Sequence, residues 1–295
     1  MARQSILKNL RLNSHIPISK MNTYRCVIIG CAKNVGAYLP STLAQIDTIR
    51  SLWLNAAVVI AENGSTDSTK QLLADYAKKS VQTHILTLEE ASPIPSRTER
   101  LALIRNRLLE FVHDTYPTFD YILSVDLDGI LDGFKSSGLI DLFKSFPTAS
   151  WDAVFANVVG KYYDIWALRR PDLGLTYDCW DMIRHLQLEA GISRLDAKKT
   201  CVTQFQTVMK PMPSRLIAVD SAFGGLGLYR LAATKGCTYV GITRDCSCQH
   251  LMAFNKMLCA PETCEHVAFH KDMAAKGAKL FICSSLLVKT QQEHL

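Results

Sequence analysis

Short apolar runs alternate with segments of helical spacing through residues 25–160, and few folds accommodate that alternation. The runs occupy 25–30, 57–61, 83–88, 121–125 and 153–159. After the first run, Leu39, Leu43, Ile46 and Ile49 recur at the spacing of one helix face. Strands alternating with helices predict a mostly parallel, doubly wound α/β sheet of the Rossmann-like kind, with helices on both faces. Ligands of such sheets bind beyond the carboxyl ends of the strands.

Local sequence features indicate where a helix begins and how the domain is divided. Ser96-Arg-Thr-Glu99 matches a capping box and predicts the start of a helix. From about 160 to 215 the regular pattern gives way to aromatic and charged positions, which predicts an irregular elaboration over the site. We expect a terminal arm at 1–22, an ordered half at 23–160, and a second half of the same domain at 161–295.

Composition and charge exclude several classes of protein. With 48% hydrophobic and 20% charged residues, the chain can bury a large core. The net charge of +6 is spread along the sequence, so nucleic acid is not an expected partner. We find no apolar run of the roughly 18 residues that span a bilayer and no secretory signal. These features predict a soluble, cytoplasmic protein, in the host cytoplasm if the chain is viral.

Two smaller features complete this part of the prediction. The basic residues of the arm favour a solvated segment, with weak peripheral contact to an anionic membrane as the alternative. The chain has 10 cysteines, which are too sparse for a disulfide scaffold and are expected to be reduced.

Two aspartates stand where the fourth apolar run ends. Asp126 and Asp128 can face one crevice, which suits a hard cation shared with substrate phosphates. Mg²⁺ or Mn²⁺ would there stabilise the charge of a leaving diphosphate as a Lewis acid. Alone, this Asp-x-Asp spacing is a weak signal, and a capped turn is the competing interpretation.

Four segments together resemble the GT-A glycosyltransferases, in particular small soluble ones of capsule gene clusters and large DNA viruses. They are Ala32-Lys-Asn34, Glu62-Asn-Gly-Ser-Thr-Asp67, the helix with Arg100 and Arg105-Asn106, and Val125-Asp-Leu-Asp128. The resemblance covers about half the chain. It implies a GT-A fold and transfer of a sugar from a nucleoside-diphosphate sugar to a hydroxyl acceptor, expected to be a glycan.

The same resemblance implies roles for single residues. Asp126 would meet the donor ribose or sugar, and Asp128 would bind the metal. The other implied donor contacts are Ala32, Asn34, Glu62, Asn63, Asp67, Arg100, Arg105 and Asn106. The competing interpretations are a helix cap without ligand for 63–67, and solvated helix charges for Arg100 and Arg105.

The second half would supply the acceptor site and complete the metal site. Asp220 precedes a glycine-rich stretch that either approaches a bound sugar or forms left-handed turns. By resemblance, His270 would complete the metal site, with His266 as the alternate. Asp220 and Glu265 are the candidates for the general base that an inverting transfer needs.

Three other functions compete. The segment 126–132 resembles the nucleophile loop of haloacid dehalogenase-like Mg²⁺-dependent phosphohydrolases, although about 125 residues precede it. A structural zinc site is suggested by Cys246, Cys248, His250, Cys259, Cys264, His266 and His270, although their spacings fit no familiar finger. A sugar-binding protein that has lost catalysis is the third, and the intact Asp126 and Asp128 argue against it.

Overall fold

The computed structural model describes residues 20–242 and 262–290, and within these ranges eight strands form one sheet. The strands are β1 Arg25–Ala32, β2 Asn55–Glu62, β3 Thr83–Thr87, β4 Tyr121–Val125, β5 Ala153–Val158, β6 Leu216–Ala218, β7 Leu226–Arg230 and β8 Leu280–Val288. The helices are α1 Leu39–Arg50, α2 Thr69–Lys79, α3 Arg97–Thr115, α4 Ser137–Ser145, α5 Cys179–Glu189, α6 Arg194–Cys201 and α7 Glu265–Ala275. The terminal arm lies almost wholly outside the described residues.

The sheet is mostly parallel, which confirms the predicted fold class. Its strand order is β3-β2-β1-β4-β7-β5-β8-β6. The pairs β1–β2, β1–β4, β2–β3 and β5–β8 are parallel, whereas β7 runs antiparallel to β4 and β5, and β6 to β8. The central strands β2, β4 and β5 are buried almost throughout, as parallel strands covered on both faces must be.

The two halves of the sequence share this sheet. Strand β7, from the second half, lies between β4 and β5 of the first half. Strand β8 pairs with β5, and its register shifts between Ala156 and Asn157. The second half is therefore part of the central sheet as well as an elaboration over it.

The start of α3 follows the predicted capping chemistry. The Ser96 hydroxyl oxygen accepts a hydrogen bond from the Glu99 amide at 3.3 Å, which satisfies one of the free donors of the first turn. The helix packs against β1, β2 and α7. Its first two turns consequently reach the carboxyl ends of β1 and β2. No helix in the part of the chain that the structure describes is long and apolar enough to span a bilayer.

Candidate functional site

A cavity of about 580 Å³ opens beyond the carboxyl ends of β1, β2 and β4. This volume falls within the roughly 300–1,000 Å³ of small-molecule sites. The charged wall residues are Lys33, Arg97, Arg100, Arg105, Asp126, Asp128, Asp164 and Glu265. The aromatic wall residues are Tyr163, Trp166, Trp180 and Phe223. The cavity lies where a doubly wound sheet is expected to bind its ligand.

The backbone around β4 turns Asp126 and Asp128 toward the cavity. Leu127 between them is 1% exposed, and a Cβ at Gly30 of β1 would come within 3.0 Å of its side chain. The missing side chain of Gly30 thus makes room for Leu127. Because side chains of an extended chain alternate in direction, burial of Leu127 leaves both aspartates on the cavity side.

Strand β7 fixes the same turn from its other side. The Asp126 amide donates to the Gly225 carbonyl at 2.8 Å. Gly225 has φ +87°, and a Cβ there would lie 3.0 Å from the Tyr163 hydroxyl. A residue other than glycine would therefore be strained and crowded. The glycine-rich stretch accordingly forms left-handed turns inside the protein, the second of the two interpretations open from the sequence.

Asp126 lies in a repulsive environment. Burial, the nearby Asp128 and Asp164 carboxylates and the opposing effect of Arg105 together raise the pKa of Asp126 to about 7, with burial the largest cause. A divalent cation placed among these carboxylates would relieve the repulsion. Carboxylate oxygens are also the ligands that Mg²⁺ and Mn²⁺ prefer.

Asp164 is a wall residue that the sequence analysis missed. Its carboxylate accepts hydrogen bonds from the Gly224 amide at 2.9 Å and the Ala167 amide at 3.4 Å. It follows β5, a strand parallel to β4, so its carboxyl-end position was a signal that could have found it. The neighbouring aromatic residues obscured the end of that strand.

Arg105 connects the two sides of the cavity. Its guanidinium, 4% exposed, donates to Asp126 at 3.3 Å and to Glu265 at 3.1 Å. It also donates to the Ser124 hydroxyl at 3.3 Å and lies 5.0 Å from the centre of the Phe223 ring. Arg105 is thus a buried ion-pair centre and not a solvated helix charge. The structure supports a positioning role for it.

The loop after β1 and the turn after β2 brace each other at the cavity edge. The side-chain oxygen of Asn34, a residue with φ +52°, accepts a hydrogen bond from the Thr66 backbone amide at 2.8 Å. The backbone amide of Asn34 donates to the Ser65 hydroxyl at 3.0 Å. Asn34, Asn63 and Arg100 line the cavity. The exposed Lys33 and Arg97 also line it. Sequence reasoning missed these two cations because single basic residues in a loop and a helix start carry no pattern.

Four predicted donor contacts lie off the cavity wall. Ala32 is fully buried at the end of β1. Glu62 accepts from the Ser65 amide at 2.5 Å, and Asp67 accepts from the Gly36 and Thr69 amides at 2.9 and 3.0 Å. Both carboxylates therefore stabilise the turn, as the helix-cap interpretation of 63–67 anticipates.

The fourth of these residues, Asn106, joins α3 to the segment near 239. Its side-chain amide donates to the Tyr239 carbonyl and accepts from the Tyr239 amide, each at 2.9 Å. Both polar atoms of the side chain are committed to that backbone. The structure therefore supports a structural role for Asn106 and gives no support for a donor contact.

His270 does not occupy the predicted metal position. It is 0% exposed, and its ring nitrogens form hydrogen bonds with the Ser221 hydroxyl at 2.8 Å and the Tyr229 hydroxyl at 3.0 Å. Burial lowers the pKa of His270 to about 3, with the Arg105 charge as a second cause. Because both nitrogens are engaged in hydrogen bonds within the core, the structure gives no support for His270 as a metal ligand.

The alternate, His266, lines the cavity without presenting a nitrogen to it. Its ring stacks on Phe223 at 4.0 Å between centres, and both nitrogens are covered without a hydrogen-bond partner in the described residues. Within ranges 20–242 and 262–290, no three His, Cys, Asp or Glu side chains converge to hold a metal. Asp126 and Asp128, both on the cavity wall, carry the oxygen donors that suit Mg²⁺ or Mn²⁺.

The two candidate bases separate in the structure. Glu265 is 4% exposed and lines the cavity. Asp220 is exposed and lies off the wall, so the structure does not support its predicted role. Of the proposed zinc cluster, Cys246, Cys248, His250 and Cys259 lie outside the described residues.

Three solved structures illustrate the distant similarity of this chain's path to known proteins. A mannosyltransferase from Pyrobaculum calidifontis in complex with GDP-Man and Mn²⁺ has a TM-score of 0.46 and 14% identity over 91% of this chain and 58% of its own. S. aureus TarS 1–349 in complex with UDP-GlcNAc has a TM-score of 0.48 and 14% identity, over 91% of this chain and 59% of its own. Glucosyl-3-phosphoglycerate synthase from Mycobacterium tuberculosis has a TM-score of 0.43 and 12% identity, over 92% of this chain and 71% of its own.

The chain thus spans less than two thirds of the length of the first two of these structures. No protein-family model matches the chain, and no curated protein sequence matches it.

Proposed function

We propose that this chain is a metal-dependent glycosyltransferase that moves a sugar from a nucleoside-diphosphate sugar to a hydroxyl acceptor. The observation that carries the proposal is the pair of Asp126 and Asp128 at the carboxyl end of β4, facing a cavity edged by Lys33 and Arg97. A divalent cation held by carboxylates, next to exposed lysine and arginine side chains, suits the binding of a diphosphate group.

On the donor side, each charged residue has a separate task. Asp126 and Asp128 would hold Mn²⁺ or Mg²⁺, which supplies Lewis-acid stabilisation of the diphosphate charge. Lys33, Arg97 and Arg100 lie on the wall where they can bind phosphate oxygens. Arg105 fixes the direction of the Asp126 carboxylate through its 3.3 Å contact. Preorganised charges of this kind lower the barrier because they need no rearrangement during reaction.

On the acceptor side, a carboxylate is needed for the proton. In transfer with inversion, the acceptor oxygen bonds to the anomeric carbon, the bond from that carbon to the diphosphate oxygen breaks, and a base takes the hydroxyl proton. Glu265 and Asp164 are two carboxylates on the cavity wall, and we propose one of them as this base. Loss of transfer in Glu265→Gln or in Asp164→Asn, with nucleotide binding kept, would identify the base.

Two alternatives make different demands on the same residues. A haloacid dehalogenase-like phosphohydrolase would use Asp126 as a nucleophile, and the chain would release phosphate from phosphomonoesters. The position of Asp126 after the fourth strand, and not the first, disfavours that chemistry. A sugar-binding protein without catalysis would bind the nucleotide sugar and leave it intact. We keep the cytoplasmic location and the glycan acceptor as parts of the proposal.

The test is a panel of nucleotide sugars with and without Mn²⁺, read by thermal shift and by release of nucleoside diphosphate. We expect stabilisation and turnover of at least one donor in the presence of Mn²⁺, and loss of both in Asp128→Ala. The matched control is Asp141→Ala on α4, because Asp141 is an exposed aspartate away from the cavity. No stabilisation by any donor, or unchanged turnover in Asp128→Ala, would contradict the proposal.

A further inference from the structure

One part of the cavity wall is an aromatic surface, which we call the aromatic wall. It is formed by Tyr163, Trp166, Trp180 and Phe223. Trp166 lies beyond β5 and Trp180 in the first turn of α5. Their rings are in contact, with centres 4.1 Å apart and planes inclined by 41°. Both side chains are only partly buried. Tryptophans packed in this way against an open cavity offer an apolar platform to a ligand.

The tryptophan pair is held in place by an ion pair behind it. Arg169, 5% exposed, donates to the Trp166 carbonyl at 3.0 Å and to the Asp178 carboxylate at 3.4 Å. Asp178 also caps α5 by accepting from the Asp181 amide at 3.0 Å. The segments that carry both indoles are thereby fixed to one buried guanidinium. Preorganisation of this kind lowers the entropic cost of binding a ligand.

Two carboxylates, Asp164 and Glu265, and one guanidinium, that of Arg105, lie near the aromatic wall. Asp164 and Glu265 line this part of the cavity, whereas Lys33, Arg97 and Arg100 come from the loop after β1 and from α3. Among the described residues, the guanidinium behind the platform, Arg169, is buried and committed to carbonyls and Asp178. Arg105 is likewise committed, to Asp126, Glu265 and Ser124. Within the described part of the chain, an acceptor with a carboxylate or phosphate would therefore meet like charges here and no uncommitted cation on this part of the wall.

A neutral sugar ring has the complementary chemistry. One face of a pyranose carries C–H groups that can lie on an indole, and its hydroxyls can donate to carboxylates. Among the described residues, neither the Trp166 nor the Trp180 N–H forms a hydrogen bond, so each can donate to a sugar hydroxyl. Trp180 packs against the cluster of Ala167, Phe223 and Cys264, and the Arg105 guanidinium lies over Phe223, so the platform adjoins the residues around Asp126.

From these observations we infer that the acceptor is an uncharged saccharide, bound with a ring face on the Trp166–Trp180 pair. The inference rests on the proposed transferase function and adds to it the class of acceptor and the residues that select it. Trp166 and Trp180 are specificity-determining residues, since they touch the acceptor and not the anomeric carbon of the donor.

The test compares a methyl glycoside with the matching methyl glycuronide, which replaces a hydroxymethyl group by a carboxylate. Binding is followed by tryptophan fluorescence of the full chain with Mn²⁺ and nucleoside diphosphate, and transfer by product formation. We expect the neutral glycosides to bind at least tenfold more tightly than the glycuronides. Equal binding, or preference for the glycuronides, would overturn the inference.

Variants separate the platform from the donor site. Trp180→Ala and Trp166→Ala should each raise KM for the acceptor about tenfold, equivalent to about 1.4 kcal/mol, with a smaller effect on kcat than on KM. Trp180→Phe should recover most of the affinity, and Leu188→Ala on the exposed end of α5 is the control. An unchanged acceptor KM in both alanine variants would refute the inference, as would loss of nucleotide binding, because the pair would then hold the nucleobase.

The two hypotheses fail in different ways. If no donor binds or is consumed, the transferase proposal fails, and saccharide binding by the fluorescence titration still tests the platform. If a donor is consumed but only anionic acceptors are glycosylated, the transferase proposal stands and the assignment of the acceptor fails.

Discussion

Replacing Arg105 by methionine tests whether the ion pair between the two sides of the cavity stabilises the fold. The Arg105 side chain is 5% exposed, and its guanidinium lies 3.1 Å from Glu265 and 3.3 Å from Asp126, whose side chains are 5% and 33% exposed. Removing it leaves the Glu265 carboxylate buried with its charge uncompensated. Because removal of one partner of a buried pair costs about 3–5 kcal/mol, we expect the free energy of unfolding to fall by that amount.

Urea denaturation at pH 7, followed by circular dichroism, measures the loss. The matched control is Arg107→Met on the same helix, because Arg107 pairs with Glu110 at 3.0 Å while both side chains are at least half exposed. Such an exposed pair contributes about 0–1 kcal/mol. The double variant Arg105→Met/Glu265→Gln should be more stable than Arg105→Met alone, since it removes the unpaired charge. A loss below 1 kcal/mol, or strictly additive effects of the two substitutions, would refute the reasoning.

Three further predictions concern residues around the cavity. His270 has a folded pKa of about 3 against an ordinary value of 6.5, so its contribution to stability is complete above pH 6.5 and is lost as pH falls toward 3. Relative to His270→Asn, the wild type should therefore lose up to about 1.4 kcal/mol per pH unit in urea titrations between pH 6 and 4, and parallel pH profiles would contradict this. Gly225→Ala should cost about 1–3 kcal/mol, because φ is +87° and the Cβ would approach the Tyr163 hydroxyl to 3.0 Å; an unchanged melting temperature would count against the strain. Asn106→Ala should lower stability by about 1–3 kcal/mol while the nucleotide Kd measured by calorimetry stays constant, and a weakened Kd would restore Asn106 to the donor site.

The first half of the fold was accessible from the sequence because its elements are local. The five apolar runs match β1 to β5 within a few residues, and the capping box marks the first turn of α3. Leu127 between two aspartates was sufficient to predict paired carboxylates on one side of the chain, because alternation along an extended segment needs no knowledge of the rest of the fold.

The second half was less accessible because long-range pairing determines it. Strand β7 has only five residues and includes Gly227, so no periodic pattern distinguishes it from a loop. Its insertion between β4 and β5 depends on partners about 100 and 70 residues away in the sequence, respectively. The glycines before it consequently left two interpretations open, approach to a bound sugar or left-handed turns, and Asp220 was a candidate for the general base.

The histidines show why residue type alone does not locate a ligand. His266 and His270 lie one turn apart on α7, where the spacing fits either a metal site or two buried positions of one helix face. The hydrogen bonds of His270 to Ser221 and Tyr229 come from strands and loops that the helix sequence does not specify. Asp164, conversely, was hidden among aromatic residues although it lies beside the predicted aspartates.

The most direct measurement of the central claim is anomalous diffraction from crystals soaked with Mn²⁺ and a nucleoside diphosphate. The account predicts one manganese peak within coordination distance, about 2.0–2.3 Å, of the Asp126 or Asp128 carboxylates and of a diphosphate oxygen. The same soak of Asp128→Ala should lack the peak. A diphosphate bound in the cavity with both carboxylates turned away from any manganese would contradict the account.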